Sequence, residues 1–178
     1  MQTMKRTCLF TLLLFIMFGF SQALAESIRL PKGIITLTPK PAPTLVLKNM
    51  DGEIFDLKKS RGHWVFVHFW ASWCVPCRRE IPTVEKAMVA LANSSLEFVL
   101  INTAESEDTV FNFLGIVAPD LNPLLDEDGQ VTELWQSRGL PSTYLVDPQG
   151  QQRYLALGGR PWDETEYMEF LKRLAQLK

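Results

Sequence analysis

The chain is poor in the side chains that build metal sites and disulfide frameworks. It has three cysteines and two histidines in 178 residues. Cys8 lies in an N-terminal apolar stretch, so the body of the chain holds only Cys74 and Cys77. One cysteine pair cannot staple a small secreted framework. A zinc site needs about four ligands, and no histidine follows His68. His63 and His68 are five positions apart in an extended segment, which points them to opposite faces. No metal or cofactor is therefore expected. Excess charge of either sign is also missing. The balance of 18 basic and 20 acidic residues, net −2, gives no electrostatic case for nucleic acid. Repeats and low-complexity segments are absent. The apolar stretch Cys8–Phe20 falls short of the roughly 20 residues that a membrane-spanning helix needs.

What is present is an address followed by one globular domain. Lys5 and Arg6 precede the apolar stretch, and Ala23-Leu24-Ala25 follows it, the layout of a secretory signal peptide. We expect residues 1–25 to be the signal, cleaved after Ala25 or else retained as a membrane anchor. Lys5 and Arg6 are its only charges, so cleavage takes the 18 basic residues to 16 against 20 acidic ones, net −4. Residues 26–41, spaced by Pro31, Pro39 and Pro41, read as an extended N-terminal arm with a strand near Ile34–Leu37. Residues 42–178 form the domain. The chain as a whole is 47% hydrophobic and 21% charged, and a domain of this size can bury a core without staples.

The periodicity gives an α/β order. Leu45–Leu47 and Glu53–Leu57 flank Asp51-Gly52, a strong turn signal, and read as a β-hairpin. Trp64–Trp70 is a near-continuous apolar run, as expected of a strand buried on both faces. A helix is expected over Cys77–Ala92, with Ile81, Val84, Met88 and Leu91 at helical spacing and Pro82 in its second turn. Leu96–Ile101 reads as a strand, Asp108–Leu114 as a short helix and Pro123–Leu125 as a brief strand. Gln130–Trp135 follows as a short helix, then Ser142–Val146 and Gln151–Leu157 as strands around the Asp147–Gly150 turn. Asp163–Leu177 closes the chain as an amphipathic helix. The layout is a central mixed sheet flanked by helices.

The chemistry is concentrated in Trp73-Cys74-Val75-Pro76-Cys77. Two thiols at this spacing open and close a disulfide with little backbone movement. A thiol at a helix N-terminus is acidified by the helix dipole and the free N–H groups. A purely structural disulfide across so short a loop would constrain the unfolded chain little. Cys74 is expected to be the first exposed residue of the site and the attacking thiolate. Cys77, one turn inside, is expected to resolve the mixed disulfide. Pro76 suits the first helical turn, where its missing N–H costs nothing. Trp73 is expected to line the site, and Trp70 fits either the site or the core.

The segment Phe69–Cys77, Pro82 in the following helix and Gly139-Leu140-Pro141-Ser142-Thr143 resemble the thioredoxin fold, with Pro141 as its cis-proline. Across roughly residues 42–175 the chain is similar to the exported TlpA/ResA/DsbE branch of that superfamily. The likeness is carried by Ala42-Pro43 before the Asp51-Gly52 hairpin, by Phe69–Cys74 leading to Arg78-Arg79-Glu80-Ile81-Pro82, and by Leu140–Asp147 followed by Gly150 and Gly158. The resemblance implies a thioredoxin-like fold with an N-terminal β-hairpin extension. It also implies a periplasmic or membrane-facing thiol–disulfide oxidoreductase, usually a reductant. Its expected targets are disulfides of exported proteins, for example apocytochrome c during cytochrome c maturation, with a membrane thiol–disulfide electron donor to recharge it. The protein is expected to act as a monomer. Leu140 and Pro141 would present backbone to a substrate strand, beside Trp73 and Pro76.

Three further residues are weighed on this resemblance. Glu80 is one turn after Cys77, where the family has an acid tied to thiol reactivity or proton handling; the bland alternative is a solvated helix charge. His68 stands where thioredoxins proper have a buried acid, so it is either a satisfied core histidine or a proton carrier to Cys77. Arg78 and Arg79 would be solvated or would bias the thiolate. The dipeptide Val75-Pro76 adds no donor or charge to the thiolate, which favours a reducing couple. Three other readings stay open: a periplasmic oxidase or isomerase using the same thiols, a copper- or metal-binding chaperone on the same fold, and a thioredoxin-like peroxidase.

Overall fold

The computed structural model describes residues 29–177. The expected signal peptide, with Cys8, lies outside the described residues. The elements are β1 (Ile34–Pro41), β2 (Val46–Asn49), β3 (Ile54–Asp56), a 3₁₀ turn (Leu57–Ser60), β4 (Trp64–Trp70), α1 (Val75–Ala90), β5 (Leu96–Thr103), α2 (Glu107–Val117), β6 (Leu124–Asp126), α3 (Gln130–Leu134), β7 (Ser142–Val146), β8 (Gln151–Leu157) and α4 (Thr165–Gln176). All eight strands join one sheet in the order β1-β8-β7-β4-β5-β6-β2-β3. β5 runs parallel to β4 and to β6; the other neighbours are antiparallel. This is the mixed thioredoxin-like sheet with helices on its faces.

The strand expected near Ile34–Leu37 is longer than its pattern suggests. It runs to Pro41 and pairs with β8 along one edge of the sheet, with a register shift between Thr36 and Lys40. An edge strand tolerates Pro39 and Pro41 because one row of its N–H groups needs no partner. At the opposite edge the β2–β3 hairpin turns through Gly52, whose φ of 78° is left-handed and suits glycine.

β4 places the site. All seven of its residues are buried. Its side chains alternate between faces. Trp64, Phe66 and Trp70 enter a cluster with Cys77, Ile81, Val84 and Ala87 of α1 and Phe170, Leu171 and Leu174 of α4. Val65, Val67 and Phe69 enter a second cluster with Leu45, Leu57 and Trp135. Phe66 packs edge-on against Trp162 at 4.7 Å and tilted against Phe98 at 4.9 Å. Truncating such a side chain to alanine typically costs about 3–5 kcal/mol. By the same alternation His68 lies on the α1 side of the sheet.

Candidate active site

α1 starts two residues before the expected Cys77, because Cys74 is its N-cap. The Cys74 sulfur accepts the Cys77 backbone N–H at 3.3 Å, with Pro76 in the first turn. Cys74 and Cys77 are joined as a disulfide with Cα atoms 5.2 Å apart. Cys74 is not exposed as expected: it is 6% accessible and Cys77 fully buried. In the disulfide the Cys74 sulfur turns onto the first turn of α1 instead of outward. The exposed flanks are Trp73 at 65% and Val75 at 57%. A helix N–H at this position is the kind of donor that stabilises a thiolate.

The loop before the disulfide is anchored from β5. Ser72 donates its backbone N–H to Glu105 Oε2 at 2.6 Å and its hydroxyl to Glu105 Oε1. Asn102 Nδ2 donates to the same carboxylate at 2.8 Å. Ala104, beside Glu105, takes a left-handed φ of 57°. Trp70 is fully buried against Phe113 at 5.6 Å, so it belongs to the core and not to the surface of the site. Arg78 lays its guanidinium over the Phe113 ring at 5.7 Å, directed at α2.

The Leu140–Pro141 bond is cis. Pro141 is buried, and its carbonyl accepts the Gly158 N–H at 2.8 Å. Leu140 packs partly buried against the cluster that holds Cys74 and Cys77. Pro76 is exposed and lines a cleft of about 330 Å³ with Arg79, Glu80, Thr83 and the Gly159–Pro161 turn. Gly159 borders this cleft: a Cβ on it would lie in ordinary contact with the Pro76 carbonyl, at 3.5 Å, and with Glu80 Oε2, at 4.0 Å.

Glu80 is no solvated helix charge. It is 3% accessible. Its Oε1 accepts the Trp162 indole N–H at 2.5 Å and the Arg160 backbone N–H at 3.0 Å. Burial pushes its pKa up to about 7, against the pull of those two hydrogen bonds and of the Arg160 charge. His68 is fully buried, and burial pushes its pKa down to about 3, so the ring is neutral at pH 7. His68 Nδ1 lies 2.9 Å from Thr143 Oγ1. The histidine is therefore satisfied at one nitrogen only. Its Nε2 stands 3.8 Å from Glu80 Oε2, too far for a hydrogen bond, and neither atom has another partner.

The sequence reading missed Trp162, the Arg160 backbone and Thr143 as partners of these two residues. A tryptophan directly after the Gly158–Pro161 segment was the one available signal. The arrangement offers a thiol pair at a helix N-terminus over a buried carboxyl poised near neutrality. That is equipment for thiol–disulfide exchange with local proton transfer.

Comparison with known proteins agrees. The AhpC/TSA family profile matches residues 39–155. The chain belongs to this thioredoxin-like family. The thiol–disulfide oxidoreductase ResA of Bacillus subtilis is 33% identical over 110 residues, 62% of each chain. ResA of Halalkalibacterium halodurans is 30% identical over 132 residues, 74% of this chain and 75% of that one. The match thus spans a little under two thirds of the Bacillus subtilis protein and three quarters of the other. A DsbE-type thiol:disulfide interchange protein of Chlorobium tepidum superposes with a TM-score of 0.70 and 25% identity, over 79% of this chain and 99% of that one. StoA of Bacillus subtilis shares the fold, with a TM-score of 0.62 and 21% identity over 72% and 97% of the two chains. The protein is a thiol–disulfide oxidoreductase of the ResA/DsbE type.

Proposed function

We propose that the protein reduces disulfides of exported proteins, working on the periplasmic side of a membrane. The Cys74 thiolate attacks a substrate disulfide and forms a mixed disulfide. The Cys77 thiol gives its proton to Glu80, then attacks Cys74 and releases the substrate as a thiolate. Trp73, Pro76, Leu140 and Pro141 form the surface that receives the substrate strand. A membrane thiol–disulfide donor re-reduces the pair, since an oxidising compartment holds no comparable thiol buffer. Apocytochrome c, with haem-attachment cysteines that must be reduced, is the substrate class this reading favours. The protein works as a monomer.

The observation that carries the reading is the Cys74–Cys77 pair at the N-terminus of α1 with Glu80 buried one turn below. A dipeptide of Val75 and Pro76 gives the thiolate no additional donor, which supports a reducing couple over an oxidising one. Trapping tests it. A Cys77→Ser variant exposed to periplasmic protein should accumulate mixed disulfides at Cys74, with reduced-cytochrome maturation partners among them. Net conversion of substrate thiols to disulfides by the unmutated disulfide form would point to the oxidase reading instead.

A further inference from the structure

Two buried polar atoms face each other beneath the disulfide with no partners of their own. They are His68 Nε2 on β4 and Glu80 Oε2 on α1, 3.8 Å apart. Around them the floor is apolar, built from Phe66, Ile81 and Trp162. Orphaned buried polar atoms of this kind are uncommon and ask for a reason.

The reason lies in what each group can do. Glu80 Oε1 already accepts two N–H donors, from Trp162 and Arg160. A proton on the carboxyl therefore belongs on Oε2, the oxygen that faces His68. The other ring nitrogen, Nδ1, touches the Thr143 hydroxyl at 2.9 Å. With Nδ1 accepting from the Thr143 hydroxyl, the neutral ring carries its proton on Nε2 and shows Glu80 an N–H. Closing the 3.8 Å gap by about 1 Å gives a hydrogen bond to Oε2. We propose that His68 is the hydrogen-bond partner of the Glu80 carboxylate: its Nε2–H donates to Oε2 and holds the ionised form that takes the Cys77 proton, while the ring keeps one tautomer throughout.

The proposal deepens the reductase reading and rests on it. In the resolving step Cys77 S–H passes its proton to the Glu80 carboxylate. The resulting thiolate attacks Cys74, the Cys74–substrate bond breaks, and the substrate sulfur leaves with the electron pair and is protonated by solvent. Glu80 then returns its proton through the cleft beside Pro76 and Gly159. The remaining groups facing Glu80 are few. Cys74 and Cys77 share its helix, and Arg79 shares its cleft. The guanidinium of Arg160 is occupied by the carbonyls of Gly33, Leu157 and Gly159. Tyr167 of α4 packs edge-on against Trp162, and Thr143 of β7 holds the far side of His68. His68 is a positioning residue: it acts through Glu80 and does not touch the sulfurs.

The test uses the reduced full chain and Ellman's reagent. The first thionitrobenzoate released reports attack by Cys74; the second reports resolution by Cys77. The second rate should rise with pH around a midpoint near 7, where Glu80 becomes a carboxylate. His68→Asn keeps a group for Thr143 and withdraws the nitrogen facing Glu80. Its midpoint should move up by about one pH unit or more, because a hydrogen bond to the carboxylate is lost. His68→Gln, which reaches Glu80, should move the midpoint back toward that of the natural chain. In a Glu80→Gln background the His68→Asn change should have no further effect on the profile. An unchanged midpoint in His68→Asn, or a shift that survives in Glu80→Gln, overturns the proposal. If the variants do not fold, ¹⁵N NMR of the unmutated protein decides it, with His63 as the only other imidazole. The His68 Nε2 signal should move with the same midpoint as the second release, and a signal that stays flat across it rejects the pairing. Absence of the first release in the natural chain would overturn the thiol reading itself, and this proposal with it.

Discussion

The upper and lower halves of the site are built in opposite ways. The upper half is contiguous: Trp73 to Cys77 stand side by side, and Trp73, Val75 and Pro76 meet solvent. The lower half is assembled from afar. Glu80 is held by Trp162, 82 positions away, and His68 by Thr143, 75 positions away. The upper half supplies nucleophile and access, which local chain geometry can specify. The lower half supplies a desolvated carboxyl, which only the folded core can specify. A short motif can therefore state the reaction, while the floor that buries the carboxyl is assembled only by the fold.

Variants separate the two halves, and the largest effect belongs to the upper one. Cys74→Ser should abolish disulfide reduction in an insulin assay while the thermal unfolding midpoint of the reduced protein stays nearly unchanged. Residual turnover would mean that Cys77 can attack unaided. Next comes Glu80→Gln, which removes a proton acceptor and should slow the resolving step by about 10²-fold or more above pH 7. Its rate profile should lose the rise near 7. The same variant has a stability signature. The folded pKa of Glu80, about 7, lies above the ordinary glutamate value of 4.5, so its stabilisation is complete below about 4.5 and lost as pH rises through 7. That loss amounts to roughly 3 kcal/mol. Unfolding titrations should show Glu80→Gln gaining on the natural chain between pH 5 and pH 8; parallel curves would remove the buried-acid account.

Smaller effects follow. Trp162→Phe keeps the edge-on packing against Phe66 and Tyr167 but deletes the indole donor to Glu80. The Glu80 midpoint should climb by about one unit, the worth of one hydrogen bond to a charge. A midpoint that stays put in the rate profile would show that the floor does not tune the acid. Trp73→Ala should be smallest in stability, within about 0.5 kcal/mol, because the side chain is exposed. It should instead raise KM for protein substrates, and an unchanged KM would exclude Trp73 from the substrate surface.

The same contrast explains what could be read from the chain. β4, β7 and β8 coincide with their apolar runs, since buried or alternating strands bounded by turns are strong local signals. The cis bond at Pro141 and the Cys74–Cys77 pair were legible as motifs. α1 began two residues early because Cys74 itself caps it, a role that cysteine does not advertise. β1 ran past Pro39 because its place at the sheet edge, a tertiary fact, removes the usual penalty. Glu80 could be placed on the Cys77 face, but a solvated charge stayed open because helical spacing says which face a residue occupies and not what covers it. The covering Trp162 lies in a turn with no periodicity. His68 was placed in a buried strand, yet its orphaned Nε2 depends on a helix that arrives later in the chain.

The central claim is that Cys74 and Cys77 form a reducing couple. Equilibrating the full chain with glutathione and with dithiothreitol, and quantifying the disulfide, measures its potential directly. The account predicts a value near that of thioredoxin, about −270 mV. A value near that of a strong periplasmic oxidant, about −120 mV, would contradict it.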